Sequence, residues 1–213
     1  MGNNIQPSTQ NNVNQDIKWH VANLENYTLK VTLGVGKIFK TLRCSHEDGA
    51  VIIKLYIKKG LNISLNKYRA VLNDMRQRFR MQEHPGILIS QTIKETQYAA
   101  YLVRQYFAYN LCDRFHAQPF LTNIEKYWIS FQLLSALVQC HGQDIRHGDL
   151  KCENIVCTSW NWIFLTDFAF YKPTYLPVDN PADYSHFFDT GHRRRCYLAC
   201  ERFFDVKQTS VNN

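Results

Sequence analysis

The sequence predicts an α+β protein of two lobes: a small, mainly antiparallel lobe followed by a helical one. Three observations carry this reading. Short runs rich in Val, Ile, Leu, Tyr and Phe recur between turn residues over 27–103. A long segment after Thr122 has apolar residues at helical spacing. Behind it stands a dense run of polar groups, His147-Gly148-Asp149-Leu150-Lys151-Cys152-Glu153-Asn154, followed by Thr166-Asp167-Phe168.

The elements follow in order. Residues 3–17 are mostly Asn, Gln, Ser and Thr, with too few apolar groups to bury, so 1–18 reads as a disordered polar tail and order is expected from Trp19. Tyr27–Leu33, Lys37–Arg43 and Ala50–Ile57 read as three strands, with Gly34-Val35-Gly36 in the first turn and Glu47-Asp48-Gly49 in the second. Residues 64–81 carry Leu65, Tyr68, Leu72, Met75 and Phe79 at helical spacing. His84-Pro85-Gly86 breaks the chain, and Ile87–Ile93 and Tyr98–Val103 read as two more strands. Thr122-Asn123-Ile124-Glu125 has the form of a capping box. Ile124, Trp128, Phe131, Leu134 and Val138 then mark one face, expected to be core, and Gly142 supplies a stop. Ile155–Cys157 and Trp162–Leu165 read as short strands around Thr158-Ser159-Trp160-Asn161, the second delivering Asp167 at its end.

Composition narrows the class. A hydrophobic content of 45% with 20% charged residues fits a globular chain, and no apolar run is long enough to span a bilayer. With no secretory signal pattern either, the body is expected to be cytoplasmic. The seven cysteines are irregularly spaced and do not form a disulfide framework or a zinc knuckle, so reduced thiols are expected. The net charge of +7 permits contact with phosphates or anionic lipid but specifies neither. Arg193-Arg194-Arg195 is the longest basic run; without any base-reading motif it reads as a solvated loop, and no nucleic-acid partner is expected. Gly2 after Met1 raises N-myristoylation, although Gln6 stands where the usual pattern has Ser or Thr.

The polar run has the layout of a phosphoryl-transfer loop. Asp149 would accept the proton of a substrate hydroxyl, Lys151 would lie beside it, and Asn154 and Asp167 would supply hard oxygens to Mg2+. Lys54, at the end of Val51-Ile52-Ile53-Lys54, is a cation inside an apolar strand, and ATP phosphates would compensate its burial. Gly34 and Gly36 sit where a backbone must approach phosphate closely, and Ala199-Cys200-Glu201 stands where a kinase has Ala-Pro-Glu. These features in this order resemble a protein kinase, so the expected fold is protein-kinase-like and bilobal, with 19–106 as N-lobe and 107–213 as a partial C-lobe, truncated within that lobe. Lys151 resembles the serine/threonine class. Four departures stand out. Phe39 replaces the third glycine of the phosphate loop and should make it bulkier. Gly148 replaces the arginine before the base, so switching by loop phosphorylation is not expected. Ala169 replaces the glycine after Asp167-Phe168 and should restrict backbone flipping. In place of a helix glutamate for Lys54, the nearest acids are Asp74 and Glu83.

Beyond these motifs the chain resembles the regulatory kinase subunit of the class III phosphatidylinositol 3-kinase complex, the vacuolar-protein-sorting kinase. The resemblance rests on Pro119-Phe120-Leu121-Thr122-Asn123-Ile124-Glu125-Lys126, Arg146-His147-Gly148-Asp149, Thr158-Ser159-Trp160-Asn161-Trp162, Lys172-Pro173-Thr174-Tyr175-Leu176-Pro177, Asp179-Asn180-Pro181-Ala182-Asp183 and Phe187-Phe188-Asp189. It is strong from about residue 104 and looser before it, and Gly148 and Ala169 belong to that family's pattern. It implies an N-myristate on Gly2, ATP and Mg2+ as cofactors, and a place beside the lipid kinase catalytic subunit and a beclin-type subunit. It also implies residence on late endosomal and autophagic membranes. In complete kinases the Ala-Pro-Glu glutamate pairs with a late arginine; Glu201 is expected to lack one, and the isolated chain to be poorly stable and inactive.

Three functions are open to such a chain: a regulatory, nucleotide-binding subunit that scaffolds a lipid kinase, an independent active serine/threonine kinase, and a basic nucleic-acid-binding module. The surviving base and metal positions, set among altered neighbours, favour the first.

Overall fold

The computed structural model describes residues 7–58, 65–80, 82, 86–177, 181–188 and 197–204, with backbone alone at 7–14, 65, 67 and 181. Gly2, Glu83, His84-Pro85 and Arg193–Arg195 lie outside the described residues. The elements are α1 (Pro7–Ala22), β1 (Thr28–Val35), β2 (Lys40–His46), β3 (Gly49–Ile57), α2 (Leu65–Phe79), β4 (Thr92–Glu95), β5 (Ala99–Gln105), β6 (Tyr109–Asn110), α3 (Leu111–His116), α4 (Asn123–His141), β7 (Ile155–Cys157), β8 (Ile163–Leu165) and α5 (Pro181–Phe187). Single 3-10 turns occupy Cys152–Asn154 and Cys200–Phe203. The elements form the α+β arrangement the sequence predicts, an antiparallel sheet followed by a mainly helical region. The chain divides into two compact units, one of Met1–Leu61 with Ser90–Tyr106, the other of Asn62–Ile89 with Phe107–Asn213.

The first unit is a five-stranded antiparallel sheet in the order β1-β2-β3-β5-β4. Alternation along β3 sends Val51, Ile53 and Leu55 into the core, and Leu42, Cys44, Tyr101 and Val103 join them from the neighbouring strands. The tail expected to be disordered to residue 18 is instead helical from Pro7. Ile17, Val21 and Leu24, at helical spacing, are buried in the sheet's core, and Tyr101 Oη donates to the His20 carbonyl at 2.9 Å. A count of polar residues over the whole tail hides the one apolar face of its last turns. The expected strand Ile87–Ile93 is also shorter, starting at Thr92. Its first residues belong to the second unit, where Ile87 bridges to Leu165 and Leu88 N donates to the Leu165 carbonyl at 2.7 Å.

In the second unit, α2 buries Tyr68, Leu72, Met75 and Phe79, as its periodicity predicts. α4 begins at the expected capping box, with Thr122 Oγ1 accepting from Glu125 N and the Glu125 carboxylate accepting from Thr122 N. Its apolar stripe, however, is not core. Ile124 and Val138 are 80% and 71% exposed, and Trp128, Phe131 and Leu134 are exposed with them. The buried face runs instead through Ile129, Ala136 and Cys140. Two glutamines on that face make specific bonds. Gln132 donates to the Asn161 carbonyl at 2.9 Å and accepts from Ile163 N at 3.1 Å, while Gln139 accepts from Gly86 N at 3.0 Å. Gly86 has to lack a side chain, because a Cβ there would stand 2.5 Å from that of Ala136. Gly142 ends α4 in a right-handed conformation, and the left-handed turn falls at Asp144, with φ 55°. Glu201 is exposed, so it bears no burial cost of the kind expected.

Candidate active site

The phosphate-binding candidates lie in the first unit. Gly34 is not in the turn but within β1, and Gly34, Thr41 and Lys54 fall on one rung of three adjacent strands. Lys54 shares a sheet face with the buried Ile52 and Tyr56. The turn itself is closed by Gly36 N donating to the Phe39 carbonyl at 3.0 Å; a Cβ on Gly36 would meet that same oxygen at 3.0 Å. Phe39 fills the third-glycine position with a ring whose centroid lies 5.9 Å from that of Tyr56.

The proton and metal candidates lie in the second unit, and local hydrogen bonds assemble them. The His147 ring sits behind the loop: Nδ1 accepts from Asp149 N at 3.3 Å and Nε2 donates to the Thr166 carbonyl at 2.9 Å. Asn154 Nδ2 donates to both the Asp149 carbonyl at 2.7 Å and its Oδ2 at 3.1 Å. Both bonds use the nitrogen, so the amide oxygen is the atom that can serve as a metal ligand. Thr166 N donates to the Asn154 carbonyl at 2.9 Å, which ties the Asp167 segment to the same loop. One carboxylate and one amide oxygen are a hard donor set, and they fit Mg2+ whose remaining ligands are phosphate oxygens and water. Among the described residues no cluster of three His, Cys, Asp or Glu could hold a metal without such help.

Gly148 has a steric reason. Its φ is +81°, and a Cβ there would stand 2.5 Å from the Ala169 carbonyl oxygen. An arginine at this position would need a different backbone. Ala169 N closes the same contact by donating to the His147 carbonyl at 2.8 Å. The left-handed residue of the metal loop is Asp167 itself, with φ 63°, and not Ala169.

Asp149 is buried and densely partnered. Lys172 Nζ lies 2.8 Å from Oδ2, Lys151 Nζ lies 3.4 Å from the same oxygen, and Tyr197 Oη donates to Oδ1 at 2.6 Å. Burial raises the Asp149 carboxyl, but the hydrogen bonds from Lys172 and Tyr197 and the two ammonium charges outweigh it, so the group is held below the ordinary carboxylate range. Burial and then the charges of Asp149 and Asp167 push the Tyr171 phenol up. Tyr68 Oη, on α2, donates to the Phe168 carbonyl at 2.9 Å and fixes the backbone next to Asp167.

Asp74, one of the two acids nearest in sequence to the expected helix glutamate, makes a 2.8 Å ion pair with Arg78 on the exposed side of α2. Sequence reasoning missed Lys172, Tyr197, Tyr68 and Arg202 as parts of the site. Nothing local signals them: each reaches the loop from another segment. Cys200 and the other described cysteines are free thiols. No helix among the described residues is long and apolar enough to cross a membrane.

The protein kinase domain family matches residues 27–208. The chain is 48% identical over 205 residues to serine/threonine-protein kinase VPS15 of Arabidopsis thaliana, an alignment covering 96% of this chain and 14% of that protein. It is 44% identical over 185 residues to the probable serine/threonine-protein kinase vps15 of Dictyostelium discoideum, covering 86% and 9%. It is 45% identical over 173 residues to VPS15 of Saccharomyces cerevisiae, covering 80% and 12%. The chain therefore spans 9 to 14% of the length of these relatives.

Proposed function

Because this chain belongs to the protein kinase domain family, we propose that it is the kinase portion of a serine/threonine-kinase-like regulatory subunit of a class III phosphatidylinositol 3-kinase complex. It binds ATP with Mg2+ and scaffolds or regulates the lipid kinase during endosomal sorting and autophagy. Similarity to VPS15 proteins supports the sorting role. The observation that carries the nucleotide chemistry is the pair of hydrogen bonds from Asn154 Nδ2 to the Asp149 carbonyl and carboxylate, which ties base and metal ligand into one loop. Asp149 takes the proton of the acceptor hydroxyl, and Lys151 steadies its carboxylate. Asn154 and Asp167 would hold Mg2+, and Lys54, Gly34 and Gly36 would receive the phosphates. ATP supplies the phosphoryl group. Gly2 carries a myristate, and one such chain binds a membrane only marginally, so the lipid kinase and a beclin-type subunit provide the second attachment to endosomal and autophagic membranes.

The test uses the full-length protein. Mg2+-dependent nucleotide binding is expected and should be lost in Asp167→Asn, while the lipid kinase catalytic subunit co-purifies. Absence of both would refute the reading. A second reading, an independently active serine/threonine kinase, is favoured by Lys151 at 3.4 Å from Asp149. It requires phosphate transfer to a generic peptide that disappears in Asp149→Asn with nucleotide binding retained.

A further inference from the structure

An acceptor hydroxyl has to come within about 2.6–3.2 Å of the base oxygen that receives its proton. Both oxygens of Asp149 already have partners. Oδ2 faces Lys172, Asn154 and Lys151, and Oδ1 receives Tyr197 Oη at 2.6 Å. That separation is in the short, charge-assisted range for O–H···O⁻. A phenol hydroxyl presents the same group that a phosphoacceptor presents, and it sits on Oδ1, whereas the lysine contacts are to Oδ2.

The segment carrying Tyr197 is pinned from several sides within the same unit. Arg202 Nη2 donates to the Gly148 carbonyl at 2.9 Å, and the Arg202 carbonyl accepts from Leu176 N at 2.7 Å. Phe188 is fully buried, with Lys172 Nζ 4.6 Å and the Arg202 guanidinium 5.1 Å from its ring centroid. Lys151 Nζ lies 5.4 Å over the Tyr197 ring. The cations that hold the base therefore also hold the elements that carry the tyrosine.

We infer that Tyr197 is a built-in occupant of the acceptor position, which must withdraw from Asp149 before any substrate hydroxyl can be phosphorylated. This rests on the kinase reading above and adds its gate. It accounts for a site that keeps its base and metal ligands yet is closed to acceptors, with Lys172 as the positioning residue of the closed state.

The test compares full-length wild type with Tyr197→Phe, which removes the hydroxyl and keeps the ring. Loss of a hydrogen bond to a charged group corresponds to roughly 10- to 100-fold, so kcat/KM for a generic serine peptide is expected to rise by about that factor, with nucleotide affinity unchanged. Hydrogen exchange over 197–204 is expected to quicken in the same variant, and this readout does not depend on phosphate transfer. Lys172→Met is the second variant, expected to quicken the same amides should Tyr197→Phe fail to fold. Faster exchange in a protein that transfers no phosphate would keep the gate and refute the active-kinase reading. Unchanged exchange in the folded variants, or a fall in peptide phosphorylation in Tyr197→Phe, would overturn the inference.

Discussion

α2 and α4 belong to the same unit and have opposite relations to their own sequences. α2 is polar on balance, yet Tyr68, Leu72, Met75 and Phe79 are all buried. α4 is the more apolar helix, yet its largest side chains face outward and its packed face is built from Ile129, Gln132, Ala136, Gln139 and Cys140. Periodicity detects that a helix has a stripe; it does not say what meets it. On α2 the stripe and the contact coincide. On α4 the contact needs Gly86, without a side chain, against Ala136 and two amides that satisfy backbone groups of β8 and the 86 loop, and these requirements exclude large apolar side chains.

The sharpest way to test this contrast is to delete side chains on α2. Met75 is fully buried, and Met75→Ala is expected to cost about 2–5 kcal/mol in chemical denaturation of the chain. A cost as small as that of a surface substitution would show that the α2 stripe is not core. Tyr68→Phe is a finer probe, since it keeps the ring and leaves the Phe168 carbonyl without its donor. It is expected to cost about 1–3 kcal/mol, and to weaken Mg2+-dependent nucleotide binding by loosening the backbone beside Asp167. Stability that falls while nucleotide binding holds would separate α2 packing from the site.

Much of the fold was legible because it rests on local rules. Runs of apolar and aromatic residues between turns placed Lys54 on β3, and the capping box marked the start of α4 within a residue. The spacing of Asp149 and Asn154 likewise marked one loop, but not the hydrogen bonds by which Asn154 Nδ2 holds Asp149. The misses have one physical cause. Lys172, Tyr197 and Tyr68 act on Asp149 or Phe168 across 23, 48 and 100 residues of chain, through contacts that exist only after folding. α1 was missed for a related reason, because Ile17, Val21 and Leu24 matter only once a sheet face is there to receive them.

The start of α4 offers a prediction of intermediate size. Thr122→Ala removes the cap and is expected to cost about 1 kcal/mol. The Glu125 carboxyl is held below its ordinary value, first by the hydrogen bond from Thr122 N, then by Thr122 Oγ1 and by Asn161 Nδ2. A depressed carboxylate stabilises the fold above its unfolded pKa, about 4.3, and loses that contribution as pH falls through the folded value. The stability difference between wild type and Glu125→Gln should therefore shrink as pH drops below about 4. A difference that stays constant across that range would show that the charge of Glu125 does not matter to the cap.

The smallest effect is expected on the face where sequence reasoning placed the core. Leu134 is 64% exposed, against 0% for Met75. If the packed face of α4 is the glutamine-and-alanine face, Leu134→Gln removes little buried surface and should change stability by no more than about 0.5 kcal/mol. The matched change on the packed face is Gln132→Leu, which keeps a similar volume but strands Ile163 N and the Asn161 carbonyl; it should cost about 1–3 kcal/mol. The two substitutions exchange the same pair of residue types in opposite directions on one helix. If Leu134→Gln proves the more damaging, the apolar stripe is covered in the folded chain and the contrast between α2 and α4 disappears. If Gln132→Leu is the more damaging, hydrogen bonding and close approach decide which face of α4 is core, and hydrophobicity does not.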